Sequence, residues 1–211
     1  MDSIYLEAIK AGRDIYSLLD DDCKTPIVPA LPLHKGVHCY DTQENSRGLI
    51  QATSKYCQAD IFVSRLPVSK IAALMILKTT SERKLANIGY SKDLNTCWAR
   101  FVLCKELAHV ALSKEENKSS STDQIDDLIT GLINGSSHNN QLQIENIAYW
   151  AATEMLLPKS SVDEIRQDYT PYNCDELKIA KSYKVPVKVI QFRLTSSVDD
   201  IFEKVYKELS D

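Results

Sequence analysis

The sequence predicts a mostly helical α+β chain, on three observations. Apolar residues recur with helical spacing over most of the length, and strand-like runs are confined to residues 61–90. The two most apolar stretches, 97–112 and 142–157, are of helix length rather than strand length. With 211 residues and 44% hydrophobic content, the chain has enough apolar mass for one buried core.

From the N-terminus, Ile4, Tyr5, Ala8, Ile9, Ile15, Tyr16 and Leu19 mark one face of an amphipathic helix. The acidic triplet Asp20-Asp21-Asp22 and the prolines 26, 29 and 32 end it, so residues 23–45 read as an irregular connector. Leu49 to Cys57 reads as a helix and Ile61-Phe62-Val63 as a short strand. Ile71 to Lys78 and Leu85 to Tyr90 then read first as a hairpin, although Ala72-Ala73-Leu74-Met75 fits a helix equally well. The stretch 97–112 places apolar residues around more than half its circumference and is expected to be buried on most sides. Two polar segments, 114–124 and 134–141, read as mobile loops flanking an amphipathic helix over 125–133. A second buried helix over 142–157 stops at Pro158. Four further helices follow, over 162–166, 176–183, 187–194 and 198–209. The expected organisation is an N-terminal helix and connector (1–45), a domain (46–195) and a C-terminal helix (196–211).

Composition excludes several function classes. Twenty-five Lys and Arg against 29 Asp and Glu give a net charge of −4, which argues against a wholly electrostatic nucleic-acid binder. No apolar run reaches membrane-span length, and the N-terminus carries no secretory pattern, so the chain reads as cytoplasmic. Its six cysteines (23, 39, 57, 97, 104 and 174) include no C-x-x-C and are expected to be reduced. Only six glycines occur, none spaced G-x-G, which removes the dinucleotide and P-loop fingerprints.

The chemistry lies in Lys105-Glu106-Leu107-Ala108-His109 on one buried helix and Glu145-Asn146-Ile147-Ala148 on another. Positions 105 and 109 share a helix face, with 106 about 100° round. A zinc peptidase of the H-E-x-x-H type uses this spacing. Two His ligands sit four apart, the intervening Glu is the general base, and a Glu from a later helix is the third ligand. Buried charges at 105, 106 and 109 must find partners, because an unpaired buried charge is costly.

Arg100-Phe101-Val102-Leu103-Cys104-Lys105-Glu106-Leu107-Ala108-His109-Val110 resembles the R-F-t-l-a-H-E-L-g-H stretch of ImmA/IrrE-type metallopeptidases. Residues 145–158, from Glu145-Asn146-Ile147-Ala148 through Ala151-Ala152-Thr153-Glu154 to Leu157-Pro158, are similar to that family's E-x-x-A-N-x-F-A-A-E-L-L-M-P. Ile179-Ala180-Lys181-Ser182-Tyr183-Lys184-Val185-Pro186 and Phe192-Arg193-Leu194 resemble its closing segment. The resemblance covers roughly 46–195. It implies a metallopeptidase-like α+β fold with a small antiparallel sheet beside the active-site helix. It also implies cytoplasmic, zinc-dependent members that act on or against transcriptional repressors, in phage, mobile-element or stress settings.

Carried over by position, Glu106 is the general base, His109 the second zinc ligand and Glu145 the third. Lys105 stands where the first ligand His belongs. A protonated lysine has no lone pair, so the expectation is zinc absent or weakly held, with the Lys105 ammonium in the metal's place. The leading function is a catalytically impaired pseudoenzyme that regulates transcription by binding a protein partner such as a repressor. One alternative is an active zinc endopeptidase with an altered ligand set. Another is a DNA-binding regulator using Lys178, Lys181, Lys184, Lys188 and Arg193 within 176–193. His34, His38 and His138 read as loop residues, and Trp98 and Trp150 as core.

Overall fold

Ala8, Ile9 and Ile15 are fully buried on one side of α1 (Ser3–Ser17), the expected N-terminal helix. The computed structural model describes residues 3–20, 42–67, 72–79, 84–112, 117–120, 140–168 and 175–210. His34, His38, His138 and the helix expected over 125–133 lie outside these residues, as does the connector up to residue 41. The second helix, α2 (Thr42–Cys57), begins at Thr42 rather than Leu49. Its polar opening turns carry no apolar stripe, so periodicity registers only its second half.

Strands β1 (Ala59–Leu66), β2 (Ala73–Thr79) and β3 (Lys84–Ser91) precede the long helix α3 (Thr96–Leu112). A four-residue strand, β4 (Asn117–Ser120), follows α3, and α4 (Asn140–Leu156) comes next among the described residues. The C-terminal third is α5 (Lys159–Asp168), α6 (Glu176–Tyr183), α7 (Val187–Leu194) and α8 (Ser196–Glu208). The described residues thus form a mostly helical α+β fold.

The strand order is β1-β3-β2-β4. The expected hairpin forms: β2 and β3 are antiparallel, with Met75 opposite Ile88. The sheet is nevertheless mixed where an antiparallel one is expected, because β1 joins β3 in parallel, with Val63 opposite Ile88. Alternation within a strand sets its buried face but carries no information about which neighbour it pairs with. A second correction concerns residues 117–120, expected as part of a mobile loop. They form an edge strand against β2, with Asn117 opposite Ile76 and Ser120 opposite Ala73. Four polar residues without an apolar alternation give no strand signal, and the backbone ladder alone specifies this one.

One face of the sheet, carrying Met75, Leu77, Ala86 and Ile88, is buried where α3 packs on β2 and β3. Helix α3 is enclosed all round, with every residue from Arg100 to Val110 buried, as its unbroken apolar circumference requires. Helix α4 packs along α3 and is covered by α1 on another side. A run of ring contacts knits the helices together. Phe101 meets Tyr149 at 5.2 Å, Tyr149 meets Phe192 at 4.8 Å, and Trp150 meets Phe192 at 5.0 Å and Phe202 at 5.1 Å. Edge-to-face and tilted pairs of this kind add to the area term by about 0.5–1.5 kcal/mol each. Trp150 is core, as expected, whereas Trp98 is only half-buried at the edge of α3. No helix among the described residues is long and apolar enough to cross a membrane.

The α1–α4 crossing is close because Gly12 has no side chain. A Cβ there would lie 2.6 Å from the Ala151 carbonyl oxygen and 2.9 Å from the Glu154 Cβ. Both are held by a buried helix, so neither retreats easily. Gly12→Ala should therefore destabilise the protein by about 1–3 kcal/mol, against the helix propensity alanine gains. Urea denaturation measures this, and an unchanged midpoint would contradict the crossing.

Candidate functional site: an ion cluster between two buried helices

Lys105 and His109 share one face of α3, as i, i+4 positions must, and α4 brings Glu145 opposite them. The Lys105 Nζ donates to Glu145 Oε2 at 2.7 Å and lies 3.1 Å from Glu106 Oε1. His109 Nε2 lies 3.3 Å from Glu145 Oε1 and 3.4 Å from the Lys105 Nζ. According to its tautomer, that nitrogen donates to Glu145 or accepts from Lys105. All four residues singled out from the sequence thus converge on one point, with the lysine nitrogen at its centre.

The cluster is nearly sealed. Lys105, Glu106 and His109 are each about 1% exposed, while the Glu145 side chain retains 25%. Burial works against the Lys105 charge, but the Glu106 and Glu145 carboxylates outweigh it and raise the lysine pKa above its ordinary value. Burial likewise works against the Glu145 charge. The hydrogen bond from His109 and the charge of Lys105 overcome it and hold that carboxyl well below the usual range. The arrangement therefore stabilises Lys105 as an ammonium. An ammonium can donate three hydrogen bonds but cannot ligate a metal. Among the described residues no set of three His, Cys, Asp or Glu is placed to hold a metal ion.

Neighbouring groups position this helix. The Arg100 guanidinium, one turn before Cys104, donates through Nη1 to the Tyr183 and Lys184 carbonyls. Lys184 caps α6 in the left-handed region, at φ 51°, and these C-terminal carbonyls have no partner within their own helix. Arg100 thus ties the end of α6 to α3. Cys104, beside Lys105 in sequence, is fully buried and points away from the cluster. Burial pushes its thiol up to about 12.

The basic segment 176–193 does not form a continuous outer face. Lys178 and Lys181 are exposed and Lys184 and Lys188 half-buried, but Arg193 is buried at 1%, stacked over the Phe202 ring and bonded to Asp199. Helix α7 buries Val189, Ile190, Phe192 and Arg193, and its exposed Gln191 is bonded to Glu176. A helix that reads a DNA groove needs its outward face free. What the sequence reading passed over is a second buried polar network, on α4 at Glu154. Its only sequence signal is a charged residue inside an otherwise apolar helix.

The family model for the M78 peptidases, described as the IrrE N-terminal-like domain, matches residues 58–195. No curated protein matches the chain. The matched span holds all four cluster residues and ends just past α7, leaving α1, α2 and α8 outside.

Removing the lysine charge tests the cluster directly. Lys105→Met leaves two carboxylates buried without their cation and should cost about 3–5 kcal/mol at neutral pH. The pH dependence should also reverse. In the wild type the lowered Glu145 pKa contributes stability above 4.5 that is lost as pH falls. In the variant the carboxylates prefer protons, so stability should rise from pH 7 towards 4.5. Melting temperatures between pH 4 and 8 check both signs, and parallel curves would reject the pairing.

Proposed function

The chain belongs to the IrrE N-terminal-like domain family, and from that premise we propose that it is a metallopeptidase-like regulatory protein impaired in hydrolysis. It acts by binding a protein partner, of which a transcriptional repressor is the kind the family resemblance suggests. The observation that carries this reading is the Lys105 nitrogen, 2.7 Å from Glu145 and 3.1 Å from Glu106. A zinc site of the family's type needs three protein ligands and an open position for water. Here the first ligand position supplies a cation instead of a lone pair, and the residues present do not fit the metal. His109 and Glu145 are the remaining two ligand positions, and both are engaged with Lys105 or each other.

Without a metal-activated water, Glu106 has no nucleophile to deprotonate, so no hydrolytic step is assigned to it. The ammonium takes over the metal's structural task, drawing α3 and α4 together by charge. Only the edge of Glu145 meets solvent. A partner would therefore engage the rim of the site and its flanking surfaces, while the ion cluster stays covered beneath.

Zinc titration separates this proposal from a working endopeptidase. The wild type should take up zinc weakly, far below one equivalent. Lys105→His should bind near one equivalent and melt higher with zinc present, because the two carboxylates lose their internal cation and gain a third ligand. Calorimetry and melting curves read both. Tight stoichiometric zinc in the wild type would overturn the proposal, as would zinc-dependent cleavage of an unfolded protein that Glu106→Gln abolishes.

A further inference from the structure

Helix α4 carries a second buried carboxyl on the side away from the ion cluster. Residues 145 and 154 are about two and a half turns apart, so their side chains leave the helix in opposite directions. Glu154 is fully buried. Its Oε1 accepts a hydrogen bond from the Tyr206 hydroxyl on α8, and its Oε2 is buried without a hydrogen-bond partner among the described residues. The same Tyr206 hydroxyl accepts from the backbone amide of Lys159, at the start of α5, at 3.4 Å.

We propose that Glu154 is a proton-operated latch for the C-terminal helix, holding α8 closed over the aromatic seam while uncharged and loosening it when ionised. The closing surface is specific: α8 sets Phe202 against Trp150 at 5.1 Å and beneath the Arg193 guanidinium at 3.7 Å. Opening it would uncover Trp150 and Phe192, the apolar centre of the α4–α7 contact.

The charges around Glu154 explain why a proton decides the matter. The nearest cation on α7, Arg193, bonds Asp199 at 3.1 Å through Nη1, and Arg166 of α5 bonds the same carboxylate at 2.6 Å. Arg193 therefore gives Glu154 only a distant charge in place of an ion pair. From α1, Arg13 contributes a weak positive field but is itself 3.5 Å from Asp14. Tyr16, also on α1, feels Glu154 and the Glu164 of α5 as negative charges. Burial raises the Glu154 pKa to about 7, with the Tyr206 hydrogen bond, Arg193, the Lys159 amide and Arg13 pulling back only in part. The group thus changes charge near neutrality, in a place where a charge is poorly compensated.

The sign follows from linkage. The closed state binds the proton more tightly than the open state, where the carboxyl returns to an ordinary value near 4.5. Closure is strongest at low pH and weakens as pH rises to 7, then levels off. For those two values the opening constant of α8 should rise about tenfold between pH 6 and 8.5. Hydrogen exchange of the α8 amides in the full chain, corrected for intrinsic rates, measures it.

Glu154→Gln should remove the dependence while the rest of the chain titrates as before. Tyr206→Phe should move the midpoint to higher pH, because the hydroxyl no longer steadies the ionised carboxylate. This second variant decides the matter if the first fails to fold. Equal pH dependence in wild type and Glu154→Gln would overturn the latch. So would α8 protection in the wild type that does not change with pH, or an unmoved midpoint in Tyr206→Phe.

Discussion

A lysine enclosed by protein has to be neutralised where it stands, and much of this structure follows from meeting that requirement at residue 105. Lys105 is almost wholly buried, so a single carboxylate would leave ammonium protons unsatisfied. Glu106 approaches from the same helix and Glu145 from α4, and His109 closes the fourth side. The interaction is cooperative in a literal sense: each carboxylate raises the lysine pKa, and the lysine lowers that of Glu145. Remove any one member and the others are left charged in a medium that disfavours charge. The pairing of α3 with α4 is thereby fixed in register as well as by apolar contact.

Once α3 and α4 are locked, the remaining elements take the faces left over. The sheet covers one side of α3 through Met75 and Ile88, and Arg100 draws in the end of α6 on another. Helix α4, enclosed by α1 through the close approach at Gly12, turns Glu145 to one side and Glu154 to the other. The two carboxyls share a helix and meet opposite fates. Glu145 has a cation in contact and stays ionised, whereas Glu154 has a phenol in contact and is poised near neutrality. Local partners decide this difference, since both groups are largely withdrawn from water.

The family match and the ion cluster bear on different levels of function. Membership of the IrrE N-terminal-like family describes the scaffold over residues 58–195, which includes the helix pair α3 and α4. Within that pair the Lys105 ammonium, held between Glu106 and Glu145, draws the two helices together by charge. Elements outside the matched span, α1 and α8, seal the far side of α4 through Gly12, Phe202 and Tyr206. What is particular to this chain therefore lies on both sides of one helix.

The sequence by itself determined α1 and the C-terminal helices through their periodicity, and α3 and α4 through apolar runs of helix length; for the β2–β3 hairpin it left a helix open as well. It also named Lys105 and His109, which i, i+4 spacing places on one face whatever surrounds the helix, and Glu106 and Glu145 through the family resemblance. Tertiary structure decided the rest. The parallel β1–β3 pairing and the polar edge strand β4 depend on which backbone lies alongside, and no residue pattern within a strand records that. The Glu154–Tyr206 contact spans 52 positions and brings together two residues whose own helices give no hint of each other. Arg193, legible as part of a basic face, is buried on Phe202 and Asp199 instead. Charge is a property of the residue, but whether it meets water or a partner is settled only when distant helices pack.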